Sequence, residues 1–226
     1  NFIPLIFDVT DTNAIKEARE LVESHLVSSG LDCLVNNAGI NISGPMEYVD
    51  SDEVRKVFEV NVMGPLNCSQ LFLPILKKSS SATIINISSM AGKIGLPMQG
   101  SYCGSKFALE GISESMRREL QIHNIKVVVV GPGAIESSIW DKFEKDEKEE
   151  LYKNTEYASA INQIDDTLKM ARSIAIPAKS VALKIEKILL STNPKHRYVV
   201  AGITDKLLTL IPRKILDYIF KKRLMK

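Results

Sequence analysis

The sequence predicts an α/β protein with a doubly wound, mostly parallel sheet. Short apolar runs alternate with longer amphipathic ones, and several runs are apolar at nearly every position, as in strands covered on both faces. Repeated strand–helix–strand units of this kind imply right-handed crossovers. The length of 226 residues fits one domain, so we expect residues 1–226 to fold as a single unit.

The elements follow in order along the chain. The first apolar run, residues 2–9, contains Asp8 and Val9 near its end, and strands are predicted at 31–36, 82–87 and 125–130. Helices are predicted between them at about 12–29, 51–77 and 101–122. The last helix has an apolar residue at every fourth position, which predicts a buried stripe of Ala108, Ile112, Met116 and Leu120. Beyond it we expect a helix from Pro177 to about Leu190, a short strand at 197–201 and a basic amphipathic tail at 206–226.

Composition excludes several classes of function. The 29 basic and 27 acidic residues leave a net charge of only +2, which argues against nucleic-acid binding. Cys33, Cys68 and Cys103 lack metal-site spacing and indicate reduced thiols in an intracellular, cytoplasmic protein. No apolar run approaches the ~20 residues of a membrane span, and the three scattered histidines predict no metal site.

Tyr102 and Lys106 form the first candidate pair for chemistry. Four residues apart on a predicted helix, they share one face. An ammonium beside a phenol favours the phenolate, so we expect Lys106 to lower the pKa of Tyr102 and to suit it for proton exchange with an alcohol or carbonyl. Chance alone produces roughly 0.6 such pairs in a chain of this composition, so the pair needs support from its surroundings.

Three further motifs supply that support. Ser89 follows the strand at 82–87 at the carboxyl edge where open α/β sheets bind ligands, although a serine there also suits a turn or a helix cap, as we interpret Ser88. Asn36-Asn37-Ala38-Gly39 ends a neighbouring strand, and its glycine allows a flat ligand to approach the backbone, although the motif alone also fits an ordinary strand-to-loop turn. Asn61 is a poor helix former inside a helical stretch, which predicts a functional kink, the alternative being a surface Asn.

In this order and spacing the motifs resemble the short-chain dehydrogenase/reductase family, most closely its hydroxysteroid and retinol dehydrogenase-like branch. The resemblance extends from residue 2 to about residue 140 and implies a Rossmann-type fold. It also implies an oxidoreductase that uses NAD or NADP to interconvert an alcohol with a ketone or aldehyde. The joint occurrence of the motifs in order is specific, whereas each motif alone is not.

The resemblance assigns a role to each matching residue. Tyr102 would be the general acid/base, and Ser89 would orient the substrate carbonyl. Lys106 would bind the nicotinamide ribose and depress the pKa of Tyr102, and Asn61 would hold a water that relays protons. The residues implied to contact the cofactor are Asp8 and Val9 at the adenine, Tyr102 and Lys106, and Asn36, Asn37, Ala38, Gly39, Pro132, Gly133, Ile135 and Ser137 along the strand ends and the nicotinamide.

The same resemblance divides the domain into a core (1–136), a substrate lid (137–180) and a C-terminal helix, strand and tail (181–226). Apolar residues in the loop 90–98 and in the lid, including Trp140 and Phe143, suggest an apolar steroid, retinoid or lipid substrate, unless they only pack the lid. Ile215, Leu216, Ile219 and Phe220 share one face of the tail, which fits either peripheral membrane contact or packing against its own domain or a partner. We expect a homodimer or homotetramer.

One motif of the family is absent from the sequence. No glycine spacing matches TGxxxGxG, the turn that cradles the cofactor diphosphate; Gly100 and Gly104 come nearest but flank Tyr102. We therefore expect the chain to begin at the third strand, with about forty residues and two strands missing. This would leave residues 1–9 off the sheet, expose the edge of strand 31–36, and make the chain as given inactive, marginally stable and weak in cofactor binding.

Two alternative functions remain open. The missing turn also fits a non-catalytic binding or scaffold protein of the same fold. A sugar-nucleotide epimerase would share Tyr-x-x-x-Lys, but the Asn36–Gly39 motif, the spacing of Ser89 and Tyr102 and the short C-terminal region argue against it. Whether the cofactor is NAD or NADP is left open by the sequence.

Overall fold

A computed structural model of the chain describes residues 2–26, 29–137, 151–208 and 210–225. Its centre is a single parallel sheet with the strand order β1-β2-β3-β4. The strands are β1 Cys33–Asn36, β2 Thr83–Ile87, β3 Lys126–Pro132 and β4 Arg197–Val200. Because all four are parallel, their carboxyl ends lie along one edge. The predicted α/β fold with a parallel sheet is therefore confirmed.

Helices connect the strands much as the sequence predicts. The described helices are α1 Thr12–His25, α2 Ser51–Phe58, α3 Gly64–Leu76, α4 Gly100–Glu119, α5 Ala158–Ser173, α6 Lys179–Leu189, α7 Ile203–Leu208 and α8 Arg213–Leu224. Asp11 begins α1 because its carboxylate accepts the backbone N–H groups of Asn13 and Ala14. A π-helical turn, Glu59–Met63, joins α2 to α3 without a break.

The two faces of the sheet carry separate apolar clusters. Ile84 and Val127 pack with residues of α1 and α3 on one face. Their neighbours Ile85 and Val128 pack on the other face, which α6 covers through Ile188. This alternation along strands that are apolar throughout is what a sheet with helices on both faces requires.

The outer edge of β1 is unpaired among the described residues. Residues 2–7 form no helix or strand, and the side chains of Phe2 and Ile6 are almost wholly exposed. This agrees with the expectation that the first apolar run lies off the sheet. Val35 of β1 is also exposed, which leaves an apolar strand edge in contact with solvent.

The predicted apolar stripe of α4 is only partly correct. Leu120, just past its end, is buried, but Ala108, Ile112 and Met116 are half-buried. The deeply buried face instead carries Ser105, Lys106, Leu109, Glu110 and Ser113. Small serines let α4 approach the sheet closely, and Ser113 accepts a hydrogen bond from Asn86 of β2 at 2.8 Å. No helix in the described part of the chain is long and apolar enough to cross a membrane.

Candidate active site

Tyr102 and Lys106 lie one turn apart near the start of α4. The Lys106 side chain is buried, and its Nζ lies 5.7 Å from the centroid of the Tyr102 ring. Nζ also donates a 2.9 Å hydrogen bond to the carbonyl of Ile87, the last residue of β2. This bond fixes the lysine at the carboxyl end of the sheet, where the sequence predicts it.

Ser89 lies two residues beyond β2, at the start of a short 3₁₀ turn, Met90–Gly92. Its Oγ accepts the backbone N–H of Ala91 at 3.1 Å, so Ser89 does cap this turn. Its hydroxyl also interacts with the Tyr102 phenol and acts to lower the pKa of that group. Of the two roles predicted for Ser88, a turn or a helix cap, the cap is wrong, because Ser89 caps the 3₁₀ turn and the Ser88 hydroxyl donates to Glu110 at 3.0 Å.

Asn61 occupies the middle of the π-helical turn and is completely buried, which excludes the surface alternative. Its carboxamide accepts from the N–H of Ile40 and donates to the carbonyl of Ile40, both at 2.8 Å. It also donates to Ser105 Oγ at 3.0 Å. The irregular helix thus clamps the segment that follows β1, and such π-turns are common at functional sites.

Gly39 brings the end of β1 against this group. A Cβ at Gly39 would lie 3.3 Å from Asn61 Oδ1 and 3.5 Å from Lys106 Nζ. Since Lys106 adjoins Tyr102 and Ser89 interacts with Tyr102, the four predicted catalytic side chains converge at the carboxyl edge of β1 and β2.

The electrostatics of the pair differ from the prediction. Burial raises the pKa of Tyr102 above its ordinary value, and the hydrogen-bonding interaction with Ser89 opposes this only in part. Burial also lowers the pKa of Lys106 to about 8. The expectation that Lys106 lowers the pKa of Tyr102 is therefore wrong for the free protein. Burial is the largest cause of both shifts, so the phenol keeps its proton near pH 7 and can act as a proton donor.

Asn36 has a different environment from its three neighbours. Its side-chain nitrogen donates to Asn86 Oδ1 at 2.7 Å and to Ser69 Oγ at 3.1 Å. These bonds join β1 to β2 and to α3, so this carboxamide is committed to internal packing. Residues 37–39 are exposed and present their backbone to the edge of the sheet.

The predicted adenine contacts lie beside β1. Asp8 is exposed, and hydrogen bonds from the backbone and hydroxyl of Thr10, both at 2.8 Å, lower its pKa. Val9 packs against Gly64, where a Cβ would lie 2.9 Å from its side chain. Val9 also lines a groove of about 180 Å³, together with residues of the β1 end and of α3.

The predicted nicotinamide contacts follow β3. Pro132 ends this strand, and the N–H of Gly133 donates to the carbonyl of Val200 at 3.0 Å. Ile135 pairs with Ile176 in an isolated parallel bridge, and Ser137 is exposed. This turn therefore lies at the same carboxyl edge as Ser89.

Comparison with known proteins agrees with this geometry. The sequence profile of the short chain dehydrogenase family matches residues 1–148. The NADPH-dependent 3-dehydrocapnine reductase of Ornithobacterium rhinotracheale is 38% identical, over 100% of this chain and 81% of that protein. Retinol dehydrogenase 16 of Mus musculus is 32% identical, over 94% of this chain and 71% of its own. A crystal structure of a short-chain dehydrogenase from Streptomyces avermitilis matches with a TM-score of 0.72 and 26% identity, over 96% and 75% of the two chains.

The chain belongs to the short-chain dehydrogenase/reductase family. The Rossmann-type fold and the NAD(P)-dependent oxidoreductase class expected from the sequence are confirmed at the level of this family.

The described residues fit two separate parts of the family's dinucleotide cofactor, the nicotinamide ribose and the adenine base. The exposed backbone at Ala38 and Gly39 lacks bulky side chains, and Lys106 Nζ lies beside it as a hydrogen-bond donor. The groove next to Val9 offers an apolar surface for a flat base. For the diphosphate, the sequence contains no TGxxxGxG turn. The fit is therefore to the nicotinamide ribose and to the base.

Sequence reasoning missed several residues that shape this family site. Ser105 accepts from Asn61 and donates to the backbone carbonyl of Tyr102 at 2.7 Å. Asp205, from α7, accepts the N–H of Ala134 at 3.2 Å and thus holds the turn after β3. Glu110 repeats the four-residue spacing from Lys106 along α4, a signal that could have placed it on the same buried face.

The predicted substrate side is partly visible. In the loop after Ser89, Met90 and Ala91 are buried and belong to the packing of the domain, whereas Ile94, Leu96 and Met98 are half-buried. Trp140 and Phe143, predicted to line the pocket from the lid, lie outside the described residues.

Proposed function

We propose that this protein interconverts an alcohol and a carbonyl group on an apolar substrate, with NADP or NAD as the cofactor. The observation that carries the proposal is the convergence of Tyr102, Lys106, Ser89 and Asn61 at one edge of the sheet. Family membership alone names a reaction class, but these positions supply the proton donor, the cation and the hydroxyl that the reaction needs.

In the direction of reduction, Tyr102 donates its phenolic proton to the carbonyl oxygen of the substrate. The raised pKa of Tyr102 keeps that proton in place near neutral pH, which suits a general acid. Ser89 donates its hydroxyl proton in a hydrogen bond to the same oxygen and stabilises the negative charge that develops there. When bound, the nicotinamide cofactor would supply the hydride for this reduction and would accept it in the reverse reaction.

Lys106 and Asn61 support the proton donor. In our proposal Lys106 binds the ribose hydroxyls through its ammonium group and returns a proton toward Tyr102. Both N–H donors of the Asn61 side chain are used by Ile40 and Ser105. The relay water proposed at Asn61 would therefore bind the second lone pair of Oδ1 or the backbone.

The contacts proposed for the cofactor divide by position. We propose that Asp8 and Val9 contact the adenosine end and that Asn37, Ala38, Gly39, Pro132, Gly133, Ile135 and Ser137 contact the nicotinamide end. Asn36 would support these contacts indirectly, because its side chain holds β1 to α3. The name of the Ornithobacterium rhinotracheale reductase makes NADPH the first cofactor to test.

An apolar ketone or alcohol of lipid or retinoid type is the substrate class that we propose. Ile94, Leu96 and Met98 are half-buried and follow Ser89 closely in the chain, and we propose that they line the apolar part of the substrate pocket. The names of two relatives, a 3-dehydrocapnine reductase and a retinol dehydrogenase, support the same class.

We also propose a peripheral membrane contact through the tail, 206–226. Three residues of the stripe predicted there pack on the protein itself, since Leu216 is buried and Ile219 and Phe220 are half-buried, whereas Ile215 is exposed. Leu210 and Tyr218 remain exposed among basic residues, which suits an anionic lipid surface. Vesicle flotation should decrease for Leu210→Asp, and equal flotation of variant and wild type would remove the membrane contact.

Sedimentation velocity tests the homodimer or homotetramer that we propose.

The test of the reaction is turnover by the protein expressed from its complete reading frame. Oxidation of NADPH or NADH is followed with a panel of lipid, retinoid and steroid ketones and aldehydes. Ser89→Ala is expected to lower kcat by about a hundredfold, whereas Ser115→Ala, at an exposed serine of α4, retains wild-type turnover. Absence of turnover across the panel, or full activity of Ser89→Ala, would contradict the proposal.

A further inference from the structure

Glu110 is a buried carboxylate that the proposed chemistry does not use. It lies one turn beyond Lys106 on α4, and only 7% of its surface is exposed. A buried charge of this kind is costly unless it is paired and hydrogen-bonded. The partners are Ser88, which donates to it at 3.0 Å, Lys93 at 2.9 Å and Arg197.

Arg197 extends this pairing to the backbone of Ser89. It begins β4, and its Nε lies 3.0 Å from both carboxylate oxygens of Glu110. Its Nη2 donates to the backbone carbonyl of Ser89 at 3.3 Å. The pair therefore holds the Ser88 side chain through Glu110 and the Ser89 backbone through Arg197.

Two glycines leave the room that the pair occupies. A Cβ at Gly131 would lie 2.6 Å from Arg197 Nη2, and a Cβ at Gly92 would lie 2.6 Å from Ser88 Oγ. The N–H of Ser88 also donates to the carbonyl of Val130 at 2.7 Å. These close contacts leave the start of the loop after β2 little room to shift relative to the ion pair.

We propose that the Glu110–Arg197 pair is a positioning device that sets the Ser89 hydroxyl opposite the Tyr102 phenol. Its catalytic consequence rests on the function proposed above. Ser89 Oγ accepts from Ala91, so the direction of the hydroxyl depends on the same loop that the pair holds. Lys93, which is half exposed, closes the outer side of the carboxylate.

Arg197→Lys separates the charge from the positioning. Lysine keeps the positive charge beside Glu110, so the buried carboxylate stays paired, but a single ammonium cannot also span to the Ser89 carbonyl. Arg118→Lys is the matched control, because Arg118 pairs with Glu114 on the exposed face of α4. Glu110→Gln is the second variant, since a neutral amide removes the charge that holds Arg197.

The first readout is amide hydrogen exchange in the free protein, which does not depend on activity. The N–H of Ala91 is bonded to Ser89 Oγ and that of Gly92 to the Ser89 carbonyl, both at 3.1 Å. Arg197→Lys is expected to speed the exchange of these two amides by at least about tenfold and to leave β1 and β2 unchanged. Unchanged loop exchange would overturn the proposal. An equal increase throughout the sheet would also overturn it, since the pair would then serve global stability only.

The second readout is kinetic, in the protein from the complete reading frame. Arg197→Lys is expected to lower kcat about tenfold, leave the KM of the cofactor unchanged and add nothing when Ser89 is already alanine. An additive loss in the Ser89→Ala background would overturn the positioning role. If the wild type has no turnover at all, the proposed function fails, and the exchange measurement still decides the role of the pair.

Discussion

Replacement of Lys106 by methionine is expected to change how the stability of the free protein depends on pH. Burial lowers the pKa of Lys106 from its ordinary 10.5 to about 8. Because the pKa is lower in the folded state, the unfolded chain binds this proton more tightly. The buried charge therefore destabilises the wild type fully below about pH 8, and the penalty disappears as the pH rises toward 10.5.

The pKa values set the size of the effect. At about 1.4 kcal/mol for each pKa unit, the buried ammonium costs about 3 kcal/mol near pH 7. About 2.5 kcal/mol of this cost should be removed between pH 7 and pH 10. Methionine is isosteric enough to fill the site, but it loses the bond to the Ile87 carbonyl, which costs about 1 kcal/mol at every pH. The pH-dependent part of the difference is thus the informative quantity.

Urea unfolding at several pH values between 7 and 10 measures this difference. The free energy of unfolding of the wild type should rise by about 2.5 kcal/mol relative to Lys106→Met over that interval. Lys77→Met, at an exposed lysine just beyond α3, controls for the loss of one positive charge. Parallel pH profiles for the wild type and Lys106→Met would refute the reasoning, because the lysine would then not be desolvated by the fold.

Two other replacements and one binding measurement test the residues that shape the site. Asn61→Ala leaves both polar groups of the Ile40 backbone without their partner. The free energy of unfolding, measured with urea, should therefore fall by about 2–4 kcal/mol. A loss below about 1 kcal/mol would contradict the proposed hold of Asn61 on the segment after β1. Asp205→Ala removes the acceptor of the Ala134 N–H and so frees the turn after β3. In steady-state assays the KM of the cofactor should rise about fivefold with little change in kcat. An unchanged KM would show that the turn does not need the hydrogen bond to Asp205. The chain of 226 residues should bind NADPH more weakly than about 1 mM by calorimetry, because its sequence contains no TGxxxGxG turn for the diphosphate. Micromolar binding would contradict this prediction.

The convergence of the site could be predicted because it depends on periodicity and topology. Residues four apart on an α-helix share one face, so Tyr102 and Lys106 must lie on the same side of α4. The carboxyl ends of parallel strands meet at one edge of the sheet, so the ends of β1 and β2 must lie together. Asn61 was marked by its poor fit to a helix, and the π-helical turn at that position explains the misfit. These inferences required no knowledge of distances.

The features that escaped prediction depend on tertiary packing. The direction of the Tyr102 pKa follows from how deeply α4 is buried, which the spacing to Lys106 does not reveal. Glu110 and Arg197 lie 87 residues apart in the sequence, and only the pairing of β3 with β4 brings them together. The apolar stripe of α4 was misplaced because the most deeply buried face of the helix carries Ser105, Leu109 and Ser113, whereas Ile112 and Met116 are only half-buried.

Turnover of Tyr102→Phe tests the central claim most directly. The substitution removes one hydroxyl and keeps the ring beside Lys106, so cofactor affinity measured by calorimetry should stay within about twofold of the wild type. The kcat of the protein from the complete reading frame should fall at least about a hundredfold, whereas Tyr218→Phe, at an exposed tyrosine of α8, should retain it. A Tyr102→Phe protein with wild-type kcat would contradict the assignment of Tyr102 as the proton donor.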